Sequence, residues 1–282
     1  MREWGLAIQG GGIRGAYAAG AVDVLMEKGL YASVCYGTSA GALVGANYAA
    51  KEKGRTIEIM LKAMHDPRFV SFAHFLKKGN FFNFSWLFQD AKTIFPFNDD
   101  VFYNSETDFY AVSTNCLNGE PTYWNKKDEH FYDGLASSCS LPMFTKKPVE
   151  VNGVPCLDGG IVERIPYHKM IEDGLSKIVV VCTRPHGFRY GEIGNIEKAI
   201  VKDRYKKYPK FIERELKNHE LFNEHMNELE RLEEEGKFLV VWPSENIDIS
   251  FFERRGSKIC PLYELGRKDC EELLNKIEKS IG

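Results

Sequence analysis

The chain has 282 residues, 44% of them hydrophobic and 27% charged, which is typical of folded proteins and far from the composition of disordered chains. Its 37 basic and 40 acidic residues leave a net charge of −3, so no overall basic field exists for nucleic acid, and we expect no nucleic-acid partner. No apolar stretch approaches the ~18 residues of a membrane span and no secretory signal is readable, so we expect a cytoplasmic protein, at most peripheral at a membrane.

Strands and helices are predicted to alternate along most of the chain. Apolar runs predict strands at 4–8, 34–36, 109–113, 149–157, 178–182 and 238–242. Glycines 10–12 follow the first strand and lead into a predicted helix over 16–28, and the small-residue run 40–46 predicts a helix after the second strand. Strands that alternate with helices predict an α/β fold with a mostly parallel central sheet covered on both faces.

Two segments depart from this pattern. Residues 69–103 hold 12 of the 36 aromatic residues of the chain, which predicts an apolar insertion that either packs as a core or cap or contacts an apolar ligand. Residues 195–235 are rich in charge with sparse apolar positions, which predicts long solvated helices. No Pro/Gly/Ser-rich linker separates the parts, so any second domain should pack on the first.

The pentapeptide Gly37-Thr38-Ser39-Ala40-Gly41 lies between a predicted strand and a predicted helix, the setting that a nucleophile elbow requires. A sharp turn there exposes the serine hydroxyl, and glycines two residues to either side remove Cβ atoms that would clash. The helix N-terminus behind the serine favours developing negative charge. The same letters also fit a tight turn whose serine only caps the next helix, so the pentapeptide alone leaves both interpretations open.

A glycine-rich loop follows the first predicted strand and comprises Gly10, Gly11, Gly12, Ile13, Arg14 and Gly15. Consecutive backbone N–H groups can point at an oxyanion, and one preorganised donor lowers a barrier by ~3 kcal/mol. We expect this loop to form the oxyanion hole, with Gly11 and Gly12 as donors. Its glycines also match the dinucleotide fingerprint, but the acidic residue expected ~20 positions further on is absent and the elbow occupies its place. A nucleotide-binding regulatory module is therefore kept as an alternative.

Asp158 follows the apolar run 149–157 and precedes Gly159 and Gly160. An aspartate at a strand end can face the edge of the sheet that carries the elbow. A bare Asp-Gly-Gly is most often a turn, so this motif is weak by itself. It gains meaning from the upstream stretch Ala-Ser-Ser-Cys-Ser-Leu-Pro-Met-Phe at 136–144.

In order and spacing, the glycine loop at 10–15, Gly-Thr-Ser-Ala-Gly at 37–41, the block at 136–144 and Asp-Gly-Gly at 158–160 resemble the patatin-like phospholipase family. The resemblance implies a three-layer patatin-like fold, a Ser39 and Asp158 catalytic dyad, and an oxyanion hole in the glycine loop. One departure is Gln9, where many members carry aspartate. The resemblance also implies an acyl hydrolase domain over 1–185, with the aromatic insertion inside it, and a mainly helical C-terminal extension over 186–282.

The implied activity is hydrolysis of a lipid acyl ester, of the phospholipase A or lysophospholipase type, through an acyl-enzyme. The expected partners are a lipid or other acyl ester and, transiently, a membrane surface. No metal or organic cofactor is expected, and the seven cysteines, odd in number and without a Cys-x-x-Cys pair, are predicted to be free thiols.

Two further alternatives to a catalytic Ser39 and Asp158 dyad remain open. His186, which follows the predicted strand 178–182, is the histidine whose position gives the order serine, aspartate, histidine of a catalytic triad. A non-catalytic family member that acts by protein contact is the other alternative, although intact Ser39 and Asp158 disfavour it.

Overall fold

The computed structural model describes residues 4–246 and 248–281. Its strands are β1 (Gly5–Ile8), β2 (Val34–Thr38), β3 (Asp108–Asn115), β4 (Pro121–Asn125), β5 (Val149–Val151), β6 (Val154–Asp158), β7 (Ile178–Val181) and β8 (Phe238–Val241). Its α-helices are α1 (Gly15–Glu27), α2 (Ala40–Ala49), α3 (Arg55–Lys62), α4 (Phe72–Lys78), α5 (Phe84–Phe88), α6 (Asp99–Asn104), α7 (Phe131–Ser138), α8 (His168–Glu172), α9 (Asn195–Arg204), α10 (Pro209–Leu216), α11 (Asn218–Glu234) and α12 (Gly256–Ile281). Among the helices of the described residues, none is both long enough and apolar enough to cross a bilayer.

All eight strands form one sheet in the order β5-β6-β3-β2-β1-β7-β8, with β4 paired to β3 beside this path. The five strands from β3 to β8 in that order are parallel to one another, and β4, β5 and β6 make the antiparallel pairs. The predicted α/β fold with a mostly parallel central sheet is therefore confirmed.

Alternate residues of the central strands enter two separate cores. Leu6 and Ile8 of β1 face a core shared with α1, α2, α7 and α12, whereas Ala7 faces a core shared with α8 and α11. Val180 of β7 lies in the second core and its neighbours in the first, as the two-residue period of a strand requires. The molecule thus has three layers, with the sheet between two layers of helices.

The strands differ from the sequence predictions at two places. The run 149–157, predicted as one strand, is a hairpin in which Asn152 and Gly153 form the turn with positive φ angles of 49° and 78°. Asn-Gly is the preferred pair for such a two-residue turn, so the signal was present and was outweighed by the apolar run. The strand β4 was not predicted, because its half-buried residues make neither a long apolar run nor a clear alternation.

The aromatic insertion builds a small core of its own. Its buried residues pack together with Ala63 and Met64, which precede it, and comprise Phe69, Val70, Trp86, Leu87, Ala91 and Phe95. Three short helices, α4, α5 and α6, carry the segment, and its packing side lies over α2 and α3. Part of the insertion faces the cleft described below, so it contributes both to packing and to the walls of a cavity.

The C-terminal part is mainly helical and is joined to the sheet. Helices α9, α10 and α11 occupy most of 195–235, but they are amphipathic rather than fully solvated, since Phe222, Met226, Leu229 and Leu232 of α11 are buried against the sheet. Strand β8 extends the sheet beside β7, and α12 packs along α1. The division at residue 185 stays a prediction.

Candidate active site

Ser39 occupies a tight turn between β2 and α2. Its φ of 54° lies in a region that non-glycine residues seldom adopt, which is the strained geometry expected at a nucleophile elbow. A Cβ on Gly37 would lie 2.5 Å from the carbonyl oxygen of Gly41, and a Cβ on Gly41 would overlap the carbonyl oxygen of Ile8. Only glycine fits at both positions, so the turn depends on this spacing.

The register of the sheet brings Ser39 and Asp158 together. Thr38 is paired with Val112 of β3, and the next residue of β3, Ser113, is paired with Asp158 of β6. Ser39 and Asp158 therefore lie at the same level on either side of β3. The hydroxyl of Ser39 donates a hydrogen bond to Oδ2 of Asp158 at 2.7 Å.

Asp158 is almost completely buried, with 1% of its surface exposed. Burial raises its pKa to about 6, against the opposing effects of the hydrogen bonds from Ser39 and from the backbone N–H of Gly160 and of the positive charge of Arg164. The Gly160 N–H contacts Oδ1 at 2.8 Å, so each carboxylate oxygen has its own donor. Gly159 begins the short helical turn that places this donor.

The glycine loop contacts the elbow directly. The N–H of Gly10 donates to the carbonyl oxygen of Arg164 at 3.0 Å, so this N–H is not free to donate to an oxyanion. The N–H groups of Gly11 and Gly12 make no hydrogen bond within residues 4–246 and 248–281, which leaves them available as oxyanion donors. Gly12 has a φ of 57° at the start of the turn Gly12–Arg14.

The other predicted residues of these two motifs hold the loop and the elbow in place. Gly15 packs so closely on Ala40 that a Cβ there would lie 2.8 Å from the Ala40 Cβ. Ile13 is buried in a small apolar cluster, and the Thr38 hydroxyl donates to the carbonyl oxygen of Glu163 at 2.8 Å. The Arg14 side chain instead lines the cleft over Ser39.

The small polar residues of 136–144, for which the sequence alone predicts no role, hold Ser39 and Asp158 in place. The Ser138 hydroxyl accepts the backbone N–H of Ser39 at 2.9 Å, and the Ser140 carbonyl oxygen accepts the N–H of Asp158 at 3.0 Å. The Cys139 thiol donates to the Ser39 carbonyl oxygen at 3.3 Å. This segment therefore tethers both Ser39 and Asp158, and its run of small polar residues was the available signal.

Ser39 lies where two clefts of different character meet. The first, which we call the polar cleft for its arginine and carboxyl side chains, has a volume of about 460 Å³. It is lined by the glycine loop, Ser39, Asp158 and polar side chains from Arg164 to His219, and also by apolar side chains from 141–144, 161, 193 and 251. The apolar cleft, of about 90 Å³, is lined mainly by aliphatic, methionine and phenylalanine side chains from α2, α3 and the aromatic insertion. A second apolar cavity of about 50 Å³ shares Leu43, Ile59, Met60 and Leu87 with it and extends away from the serine.

His186 is remote from this arrangement. Its exposed side chain packs edge-on against Trp242, with ring centroids 5.3 Å apart. It makes no hydrogen bond to Asp158 and does not line either cleft at Ser39 among the residues that the structure describes. The geometry therefore favours a dyad over a triad that uses His186.

The chain is similar to known proteins over part of its length. It is 26% identical over 189 residues to the uncharacterized protein YjjU of Escherichia coli (strain K12), covering 66% of this chain and 53% of that protein. It is 28% identical over 185 residues to lysophospholipase NTE1 of Candida albicans, covering 63% of this chain and 13% of that protein. The chain thus spans about half or less of the length of these relatives. Among solved structures, VipD from Legionella pneumophila matches with a TM-score of 0.47 and 12% identity, over 98% of this chain and 67% of that one.

Two family models match separate parts of the sequence. The model of a domain of unknown function, DUF6363, matches residues 208–282, which include α11, β8 and α12. The model described as patatin-like phospholipase matches residues 6–171, which include the glycine loop, the elbow and Asp158. Because that match covers more than half of the chain and every motif of the candidate site, the chain belongs to the patatin-like phospholipase family.

Proposed function

We propose that this protein hydrolyses lipid acyl esters, as a phospholipase A or lysophospholipase, with Ser39 as the nucleophile and Asp158 as the general base. The observation that carries the proposal is the 2.7 Å hydrogen bond from the Ser39 hydroxyl to Asp158, located where a polar and an apolar cleft meet. A lipid ester has a polar and an apolar end, and its carbonyl group lies between them. The two clefts match that division.

In the first half of the reaction, the Ser39 oxygen forms a bond to the ester carbonyl carbon while the Ser39 proton moves to Asp158. The carbonyl oxygen gains negative charge, which the N–H groups of Gly11 and Gly12 stabilise together with the N-terminal end of α2. The carbon–oxygen bond to the alcohol then breaks, and the alcohol leaves with the proton held by Asp158. The acyl group remains on Ser39.

Water completes the cycle. It transfers a proton to Asp158 as its oxygen bonds to the acyl carbon, and the second tetrahedral intermediate uses the same N–H donors. The bond to Ser39 breaks, the carboxylic acid is released, and the proton returns to the Ser39 oxygen. Every proton transfer in the cycle passes through Asp158, which suits a base whose pKa burial has raised to about 6.

The relatives support the lipid character of the substrate. The family name and the name of the Candida albicans relative, a lysophospholipase, both refer to lipid hydrolysis. A nucleotide-binding role for the glycine loop receives less support, because Gly10 and Gly15 pack on the serine elbow and Ser39, not an acidic residue, stands at the end of β2. A transient contact with a membrane surface stays a prediction.

Labelling with a fluorophosphonate tests the proposal directly. We expect the intact mass of the protein to increase by one probe adduct, and we expect Ser39→Ala to abolish both the adduct and the hydrolysis of p-nitrophenyl butyrate. Far-ultraviolet circular dichroism should be unchanged, since the variant loses one hydroxyl from a preformed turn. Turnover by Ser39→Ala equal to that of the parent protein would rule out the serine mechanism.

A further inference from the structure

The polar cleft collects three guanidinium groups from distant parts of the sequence. Arg14 belongs to the glycine loop, Arg164 follows the Asp158 turn, and Arg184 follows β7, and all three line the cavity that contains Ser39. Burial and the charge of Arg184 lower the pKa of Arg14. We call these three residues the arginine cluster. Three positive charges that line one cavity favour the binding of a negatively charged group there.

Most of the hydrogen-bond donors of the cluster have no partner in residues 4–246 and 248–281. A guanidinium carries five N–H donors. Within the described residues, Arg14 donates one hydrogen bond, to the carbonyl oxygen of Ile249, and Arg184 donates one, to the hydroxyl of Tyr190. Arg164 donates two. The remaining N–H groups can donate hydrogen bonds to a group in the cleft that carries several acceptor oxygens.

Tyr190 holds two of these arginines in place. The guanidinium carbons of Arg164 and Arg184 lie 4.5 and 5.2 Å from the centroid of its ring. Stacking of this kind uses the flat face of a guanidinium and leaves its N–H edge available. Burial acts to raise the pKa of Tyr190, yet the three arginine charges outweigh burial and lower that pKa below its ordinary value. The cleft therefore stabilises negative charge.

The carboxyl groups in the cleft do not neutralise the cluster by direct pairing. Asp158, Glu197 and Glu215 share its walls, but none of them forms an ion pair with these arginines in the described part of the chain, whereas the nearby Arg189 pairs with Glu230 at 2.6 Å. Burial raises the pKa of Asp158 to about 6 and that of Glu215 to about 7. Near neutral pH these two carboxyls therefore carry less than their full negative charge.

A histidine from the C-terminal part also borders the cluster. The side chain of His219 lines the same cleft as the three arginines. Its Nδ1 is buried without a hydrogen-bond partner among the residues described, which costs free energy. The ring adds a further polar side chain to the wall of the cavity that holds the arginine cluster.

We propose that the arginine cluster binds the phosphate of an anionic lipid head group while the ester carbonyl lies at Ser39 and the acyl chain enters the apolar cleft. This inference rests on the function proposed above and specifies its substrate class. A phosphate presents more acceptor oxygens than a carboxylate, and the planar guanidinium fork matches it. Three forks around one cavity suit the group with more oxygens.

Substrates with one acyl chain and different head groups test the proposal. The quantity to compare is kcat/KM for lysophosphatidic acid and for monoacylglycerol, which share the ester and differ in the phosphate. For Arg184→Gln we expect the ratio of the two values to fall about tenfold to a hundredfold, the range expected when a hydrogen bond to a charged group is lost. The change should appear mainly as a higher KM for the phosphate ester.

Two variants provide the controls. Arg189→Gln removes an arginine of the same segment that pairs with Glu230 and does not line the cleft, so the ratio should not change. Arg184→Lys keeps the charge without the fork and should restore part of the ratio. An equal loss on both substrates in Arg184→Gln, with the circular dichroism unchanged, would overturn the proposal, as would an equal change of the ratio in Arg189→Gln.

Inorganic phosphate and glycerol 3-phosphate distinguish a head-group site from a site for free phosphate. Competitive inhibition against lysophosphatidic acid, weakened in Arg184→Gln, supports the proposal. Noncompetitive inhibition would place phosphate elsewhere and overturn it. Failure of the proposed function is separable, because a protein that hydrolyses neither lipid and takes no fluorophosphonate would fail before any head-group comparison, whereas a serine esterase indifferent to phosphate would refute only this inference.

Discussion

An aspartate in water is almost fully ionised at neutral pH and is a weak base, so an aspartate that takes a serine proton needs help from its surroundings. Under the mechanism proposed here, burial supplies that help to Asp158. Asp158 is 1% exposed and its pKa is raised to about 6, yet Ser39 and the Gly160 N–H each occupy one of its oxygens. The carboxylate is therefore oriented as well as more basic. The same burial makes the site dependent on pH.

The pH profile of kcat/KM should report this group. Asp158 must be deprotonated to accept the Ser39 proton, so activity should fall as the pH drops through about 6 and decrease about tenfold per further unit. Asp158→Asn removes the acceptor and should lower kcat/KM by ~10² to 10⁴, without a remaining inflection near that pH. Initial rates with a soluble ester between pH 4.5 and 8.5 measure both effects.

His186→Ala is the matched control for the dyad. Because His186 is exposed against Trp242, we expect activity within a few-fold of the parent protein and an unchanged pH profile. A triad predicts that both replacements cripple the enzyme, since its aspartate only orients and stabilises the imidazolium. Loss of activity in His186→Ala with an intact fold would refute the dyad assignment.

At the scale of helices and strands, the sequence predicted those elements whose apolar period and glycine spacing lie within one short segment. The strand, glycine turn and helix around residues 5–27 and the elbow at 37–41 follow from the apolar period and from glycine spacing. The hairpin at 149–158 was missed because the apolar run hid its Asn-Gly turn, yet that hairpin makes β6 antiparallel to β3 and brings Asp158 to Ser39. Pairing between distant strands leaves no mark in the local sequence.

The apolar cavities under the aromatic insertion should limit the chain length of the substrate. Ile59 of α3 borders both apolar cavities, whereas Ser39 borders only the nearer one. Ile59→Phe should therefore narrow the junction of the two cavities and lower kcat/KM for esters with long acyl chains by about tenfold or more, because a pocket that is short by a methylene loses roughly 1–3 kcal/mol. Butyrate esters should lose no more than about threefold. A series of p-nitrophenyl esters measures the shift.

The comparison needs a variant with the same change at a surface site. Ile196 is 80% exposed on α9, so Ile196→Phe should leave the chain-length profile unaltered. If Ile59→Phe lowers the activity on butyrate and on long chains by the same factor, the insertion acts through general stability and not through contact with the acyl chain.

At the scale of the whole molecule, the site depends on residues that the motifs do not include. The polar cleft is closed by side chains from 184–219 and by Phe251, all outside the 6–171 match to the patatin-like model. No local pattern in the sequence indicates this arrangement, because Arg164 follows the Asp158 turn whereas Arg184 and Tyr190 lie in the loop between β7 and α9, and the two segments meet only in the folded chain. Motifs locate the reacting atoms, and long-range packing builds the cavity around them.

That packing is closest where α12 crosses α1. A Cβ on Gly266 of α12 would overlap the carbonyl oxygen of Tyr17, and a Cβ on Gly20 of α1 would overlap that of Tyr263. The Tyr17 hydroxyl also donates to Asp269 at 2.9 Å, and the Tyr263 hydroxyl donates to Asp23 at 2.6 Å. The two backbones are therefore in direct contact, and the hydrogen bonds fix their register.

Gly266→Ala should destabilise the protein although alanine favours helix formation. In an isolated helix the change would stabilise by about 1 kcal/mol, but here the added methyl group meets backbone that cannot move aside, and overpacking of this kind costs typically 1–3 kcal/mol or more. We expect the melting temperature to fall by roughly 3–10 °C. Gly194→Ala, where a Cβ would meet nothing within 4 Å, is the control and should change the melting temperature little.

Because α1, α12 and the sheet share one core, calorimetry of Gly266→Ala should record a single transition that shifts as a whole. A higher melting temperature, or two separate transitions of which only one moves, would contradict the view that the C-terminal part folds as one unit with the catalytic core.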